Sequence, residues 1–88
     1  MQYFIGTYSN GYCGCDEEEY IIADSIEQAE KFMAANLVDY GWDYYFYCEE
    51  YDEEDEDFEE TYWDNITFDV RKATAEEIED IDTWTDIR

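Results

Sequence analysis

Carboxylates dominate the residues of this chain that could do chemistry: 27 Asp and Glu stand against four Lys and Arg, without a histidine, in 88 residues. The densest run is Glu49 to Glu60, EEYDEEDEDFEE, where only Tyr51 and Phe58 interrupt the acids. No Lys, Arg or His lies between Lys31 and Arg71 to neutralise it. Paired carboxylates serve as general acid and base only when one is sheltered enough to shift its pKa, and a solvated run gives no such shelter. Histidine-based triads and histidine-ligated metals are excluded. Of the two serines, Ser25 has the setting of a helix cap and Ser9 has no nucleophile-elbow context. An enzyme is not the expectation.

Metal chemistry is weakly supported. Cys13, Cys15 and Cys48 lack the usual Cys-x-x-Cys spacing, and three thiols do not complete a zinc site. They read as small thiols at a tight loop. DEEDED lacks the glycine and the alternation of an EF-hand loop, so the run would attract divalent cations loosely without forming a dedicated calcium site. No cofactor is expected.

What remains is charge itself. The net charge is −23. Self-repulsion on this scale costs stability and is screened by salt, so the fold should tighten as ionic strength rises. Direct binding to nucleic acids or anionic membranes is disfavoured, because both are polyanions. A basic protein partner is favoured. Carboxylates on one face of a strand recur every two residues, roughly 6.5 to 7 Å, which is of the order of the spacing between successive phosphates. Glu50, Asp52 and Glu54 on one side, and Glu49, Glu53 and Asp55 on the other, would form such rows if extended; Glu56, Asp57, Glu59 and Glu60 continue the run. Asp16, Glu17, Glu18 and Glu19 make a secondary cluster, and Glu76 to Asp82 would widen the surface if they fell on the same side.

Charge gives fast and indiscriminate association, and specificity needs anchors, for which Tyr and Trp are favoured. Ten tyrosines exceed what so small a core is expected to use. Tyr44, Tyr45, Tyr47, Tyr51, Tyr62 and Trp63 flank the acidic run, and Tyr45, Tyr47, Tyr51 and Tyr62 are the candidate contacts.

The elements that must position these groups fit one domain over residues 1–88, with 49–60 an excursion between two strands. Gln2 to Ser9 alternates as a strand, Asn10-Gly11 signals a turn, and Glu18 to Ala23 is the returning strand. Asp24 or Ser25 opens a helix whose apolar face is Ile26, Ala29, Met33, Leu37 and Tyr40, with Gly41 as its stop. Trp42 to Cys48 reads as a strand, and Trp63 to Arg71 as another with Ile66, Phe68 and Val70 inward. The stretch between them reads as a long loop with one or two helical turns, since Tyr51, Phe58 and Tyr62 share a helical face while like charges oppose a helix. Thr74 to Glu77 is a capping box for a short last helix. The order ββαββα gives an α+β domain: an antiparallel sheet of about four strands with a helix packed on one face. With no membrane-length apolar run and no leader pattern, a cytoplasmic protein is expected.

Size, charge and EEYDEEDEDFEE in an aromatic-rich α+β domain resemble the small acidic DNA-mimic proteins of bacteriophages and mobile elements, anti-CRISPR and anti-restriction proteins in particular. That resemblance implies a stoichiometric inhibitor in a bacterial host cell, occupying the Lys/Arg-lined DNA site of a Cas effector or Cascade subunit. The alternatives are an acidic adaptor for another basic protein face and a divalent-cation-binding protein. Exposed aromatics would permit self-association without specifying it.

Overall fold

In a computed structural model the described residues are 1–11, 16–46, 54 and 57–88. The elements run β1 (Gln2–Ser9), β2 (Glu17–Ala23), α1 (Ile26–Tyr45), α2 (Phe58–Asn65), β3 (Thr67–Lys72), α3 (Ala75–Asp80) and β4 (Thr85–Asp86). The class is α+β, as the sequence leads one to expect. The sheet has the order β3-β1-β2-β4, with β1 antiparallel to both neighbours and β4 added parallel to β2, so it is mixed.

Register divides the sheet into two faces. Phe4 lies opposite Ile21, Gly6 opposite Glu19 and Val70, and Tyr8 opposite Glu17 and Phe68, so all of these point to one side. Helix α1 covers that side. Phe4, Tyr8, Ile21 and Ala23 bury against Ala29, Met33 and Tyr40, with Leu37, Phe68 and Val70 packed around them. Gly6 is the closest approach: a Cβ there would stand 3.0 Å from Met33 Cγ and closer still to its thioether. The helix begins where Ser25 Oγ accepts the Gln28 N–H at 3.2 Å, while Gln28 Oε1 accepts the Asp24 N–H at 2.7 Å. Ile26, in the first turn, stays exposed and is not part of the buried face.

Gly41 does not stop α1. The helix runs on through Trp42 to Tyr45, a segment whose aromatic content reads as a strand, because α2 crosses it there. A Cβ on Gly41 would lie 2.6 Å from Trp63 Cη2 and 2.7 Å from Ile66 Cδ1, so the missing side chain is what admits the second helix. Phe58 and Tyr62 bury against Tyr45 in a second, aromatic core, and the Tyr62 hydroxyl donates to the Gly41 carbonyl. Trp63 therefore belongs to a helix, and the following strand starts at Thr67. Glu59 and Glu60 fall in the first turn of α2, where the helix dipole offsets part of their repulsion.

The opposite face of the sheet carries Tyr3, Ile5 and Thr7 of β1 beside Ile22, Tyr20 and Glu18 of β2. The chain from β3 to β4 crosses it. Trp84 sets its ring edge against Tyr3 and Tyr20, with centroids 4.9 and 5.8 Å away. Thr74 and Glu77 complete the capping box of α3, and Glu77 also takes both guanidinium nitrogens of Arg71 at 2.7 Å.

Candidate functional site

The ends of the sheet differ in charge. Arg71, Lys72 and Arg88 lie towards the end formed by Gln2 and Ala23; there Arg71 is tied to Glu77, and Arg88 to Asp86 at 2.7 Å. Those pairings hold the carboxyls of Glu77 and Asp86 down at about 2. The other end holds Ser9, Asp16, Glu17 and the last turns of α1. It is acidic.

A pocket of about 110 Å³ opens there between β2 and α1. Its strand wall presents Glu17 and Glu19, two residues apart and hence roughly 6.5 to 7 Å along one face. Its helix wall presents Asp39 and Asp43, four residues apart and so about 6 Å along the axis. The floor is Tyr8 and Tyr40, stacked with centroids 4.9 Å apart and planes 15° from parallel. Tyr8 donates its hydroxyl to the Met33 carbonyl at 3.3 Å.

Burial pushes the Tyr8 hydroxyl up to about 12, and the carboxylates of Glu19, Glu17 and Asp39 add to that shift. Glu19 is raised by burial and then by the charge of Glu17. Two rows of carboxylates therefore line one pocket over aromatic rings. The pocket is thus lined by four carboxylates above two tyrosines whose rings are almost fully buried. Among the described residues no three carboxylates or thiols are placed to hold a metal ion, and no helix is long and apolar enough to cross a membrane.

Of the secondary cluster, Glu17 and Glu19 join the pocket. Glu18 points to the opposite face and accepts the Tyr20 hydroxyl at 3.0 Å, while Asp16 is exposed. The acids from Glu76 to Asp82 do not widen this surface, since α3 and its Arg71 partner lie across the other face. Within the acidic run, Glu54, Asp57, Glu59 and Glu60 are exposed. Glu49, Glu50, Tyr51, Asp52, Glu53, Asp55 and Glu56, together with Tyr47 and all three cysteines, lie outside the described residues. Tyr45 and Tyr62 are not available as contacts: they are 9% and 0% exposed and form the aromatic core.

Sequence reasoning missed Asp39 and Asp43 because Gly41 was read as the end of the helix, which placed them on different elements. Their four-residue spacing was the available signal. It also missed the outer surface of the same helix, where Trp42 and Phe46 stay 43% and 61% exposed. Comparison with models of known protein families, with curated proteins and with solved structures finds no match.

Proposed function

We propose that this protein is a non-enzymatic, stoichiometric inhibitor that presents phosphate-like carboxylates to the DNA-binding site of a basic host-defence protein, a CRISPR effector complex above all, in the bacterial cytoplasm. The observation that carries this reading is the pair of carboxylate rows, Glu17 with Glu19 and Asp39 with Asp43, facing each other at the acidic end. Charges held together against their own repulsion serve binding rather than folding. The spacing within each row is of the order of that between phosphates, so one Lys/Arg-lined groove would accept either polyanion. Glu54, Asp57, Glu59 and Glu60 of the acidic run are exposed and add to the charge such a groove would meet. The likeness in size and charge to DNA-mimic inhibitors supports the choice of partner class.

The test is competition. Guide-loaded CRISPR effector is titrated with the protein, and binding of labelled target duplex is followed at fixed salt. Target binding should fall to nothing near one equivalent, and changing Glu17, Glu19, Asp39 and Asp43 together to their amides should restore it. A complex in which the effector still binds its target duplex fully would end the proposal.

A further inference from the structure

The acidic pocket explains attraction but not selection, because any polycation satisfies it. A different part of α1 has the complementary property. Val38, Trp42 and Phe46 follow one another at four-residue steps and are 56%, 43% and 61% exposed. They form a stripe about 12 Å long on the outer face of the helix. The indole of Trp42 is already fixed: Trp63 and Tyr45 meet it edge-on at 5.1 and 5.2 Å, and Phe46 stacks at 6.4 Å. A large ring held in place yet open to solvent loses little entropy on being covered. Asp39 and Asp43, each one position on from Val38 and Trp42, border the stripe on the side of the pocket, and α2 meets it through Trp63.

We infer that this stripe is a docking surface for an apolar ridge bordered by Lys and Arg on the basic partner. Charge decides the occupant. A second copy of this chain would bring a net charge of −23 against the acids that border the stripe. A ridge of Leu, Ile or Met with basic residues along its side matches the apolar centre and pairs with the margin of Asp39 and Asp43. The inference deepens the reading above and rests on its claim that the partner is a basic protein. It adds that recognition has a component that salt does not screen.

Two synthetic probes of equal positive charge separate the components: an amphipathic helix with leucine on one face and lysine along both borders, and a plain lysine peptide. Binding is measured by fluorescence anisotropy in about 0.1 M and about 1 M salt. The amphipathic peptide should bind more tightly and keep most of its advantage at high salt. Val38→Asp and Trp42→Ala should each weaken it by roughly tenfold or more. The plain peptide should bind in low salt only and be weakened by neither change. Val38 is exposed and contributes to neither core, so Val38→Asp keeps the test valid should Trp42→Ala unfold the chain. Equal binding of the two peptides in low salt, with no effect of either substitution, overturns the docking surface and leaves the acidic reading standing. Failure of both peptides to bind in low salt removes the acidic reading, and with it this inference. A dimer of the protein alone that Val38→Asp dissociates would assign the stripe to a second copy and overturn the inference.

Discussion

Replacing Asp39 and Asp43 together by Asn should make the protein more stable and a poorer ligand for cations. Both carboxylates are exposed on α1 and face Glu17 and Glu19 across the pocket. Their own four-residue repulsion costs about 0.2–0.5 kcal/mol. Asp43 also sits in the last turn of α1, which contains no basic residue. An acid there opposes the helix dipole by about 0.3–1 kcal/mol. Repulsion from the strand-wall carboxylates has the same sign and is weak in water's dielectric. Asn and Asp have similar helix propensities, so little is lost in exchange. The sum of the first two terms is about 0.5–1.5 kcal/mol at low salt, or roughly 2 to 12 °C in melting temperature for a domain of this size. Thermal denaturation followed by circular dichroism at low salt reads the gain directly, and about 1 M salt should remove most of it. Affinity for a lysine peptide should fall in the same variant. An unchanged or lower melting temperature at low salt would refute the claim that these charges are held against the fold.

The pH dependence of stability should have a maximum on the acid side of neutrality. Glu19 is raised from its ordinary value of 4.5, so it takes up protons more readily folded than unfolded, and stability falls as pH rises through the interval above 4.5. Glu77 and Asp86 are lowered to about 2 from 4.5 and 3.8, so their stabilisation is complete above those ordinary values and is lost as pH falls towards 2. Urea denaturation across this range should place the maximum near about pH 4–5; a monotonic rise to neutrality would contradict the assignment of Glu19. Gly41→Ala gains about 1 kcal/mol of helix propensity and loses about 1–3 kcal/mol to overpacking against Trp63 and Ile66, so the melting temperature should drop. A rise would show that α2 does not seat on that notch. Tyr62→Phe keeps the ring in the aromatic core and removes the bond to the Gly41 carbonyl, a loss of about 0.5–1.5 kcal/mol by urea denaturation. No measurable loss would mean that this bond contributes nothing.

Local signals read well wherever the chain obeys one rule at a time. The alternation of Gln2 to Ser9, the cap at Ser25 and the box from Thr74 to Glu77 each specify a backbone geometry within a few residues, and the structure keeps them. Ile66, Phe68 and Val70 are half-buried and Thr67, Asp69 and Arg71 exposed, as their alternation requires. Gly41 obeys two rules at once. As a residue without a side chain it is both a common helix terminator and the position of least bulk on a helix surface, and sequence spacing alone does not distinguish the two. Once it is taken as an end, the aromatics from Trp42 to Tyr45 read as a strand and Asp39 loses its neighbour Asp43. Their helical state is imposed by Phe58, Tyr62 and Trp63 packing against them, a tertiary effect that outweighs local preference. The two residues of β4 carry no pattern at all, and their pairing with Ile21 and Ile22 depends on where the crossing chain ends.

The acidic surface and the number of tyrosines are two aspects of one arrangement. A short chain that displays so many carboxylates needs a core that reaches close beneath them, and aliphatic side chains would meet the charged rim with nothing polar to offer. Tyrosine buries a large ring and ends in a hydroxyl that finds a partner at the boundary. Tyr8 stacks on Tyr40 under the pocket and donates to the Met33 carbonyl, and Tyr62 fills the second core and donates to the Gly41 carbonyl. Tyr8, Tyr40, Tyr45 and Tyr62 are buried, so Tyr45 and Tyr62, two of the candidate contacts, serve the core instead. It also moves the search for specific contacts. Aromatics that sustain the charged end from below are not free to reach a partner from it. Anchoring then falls to rings that those tyrosines hold in place, and Trp42, with Tyr45 on one edge and solvent beyond, has that position.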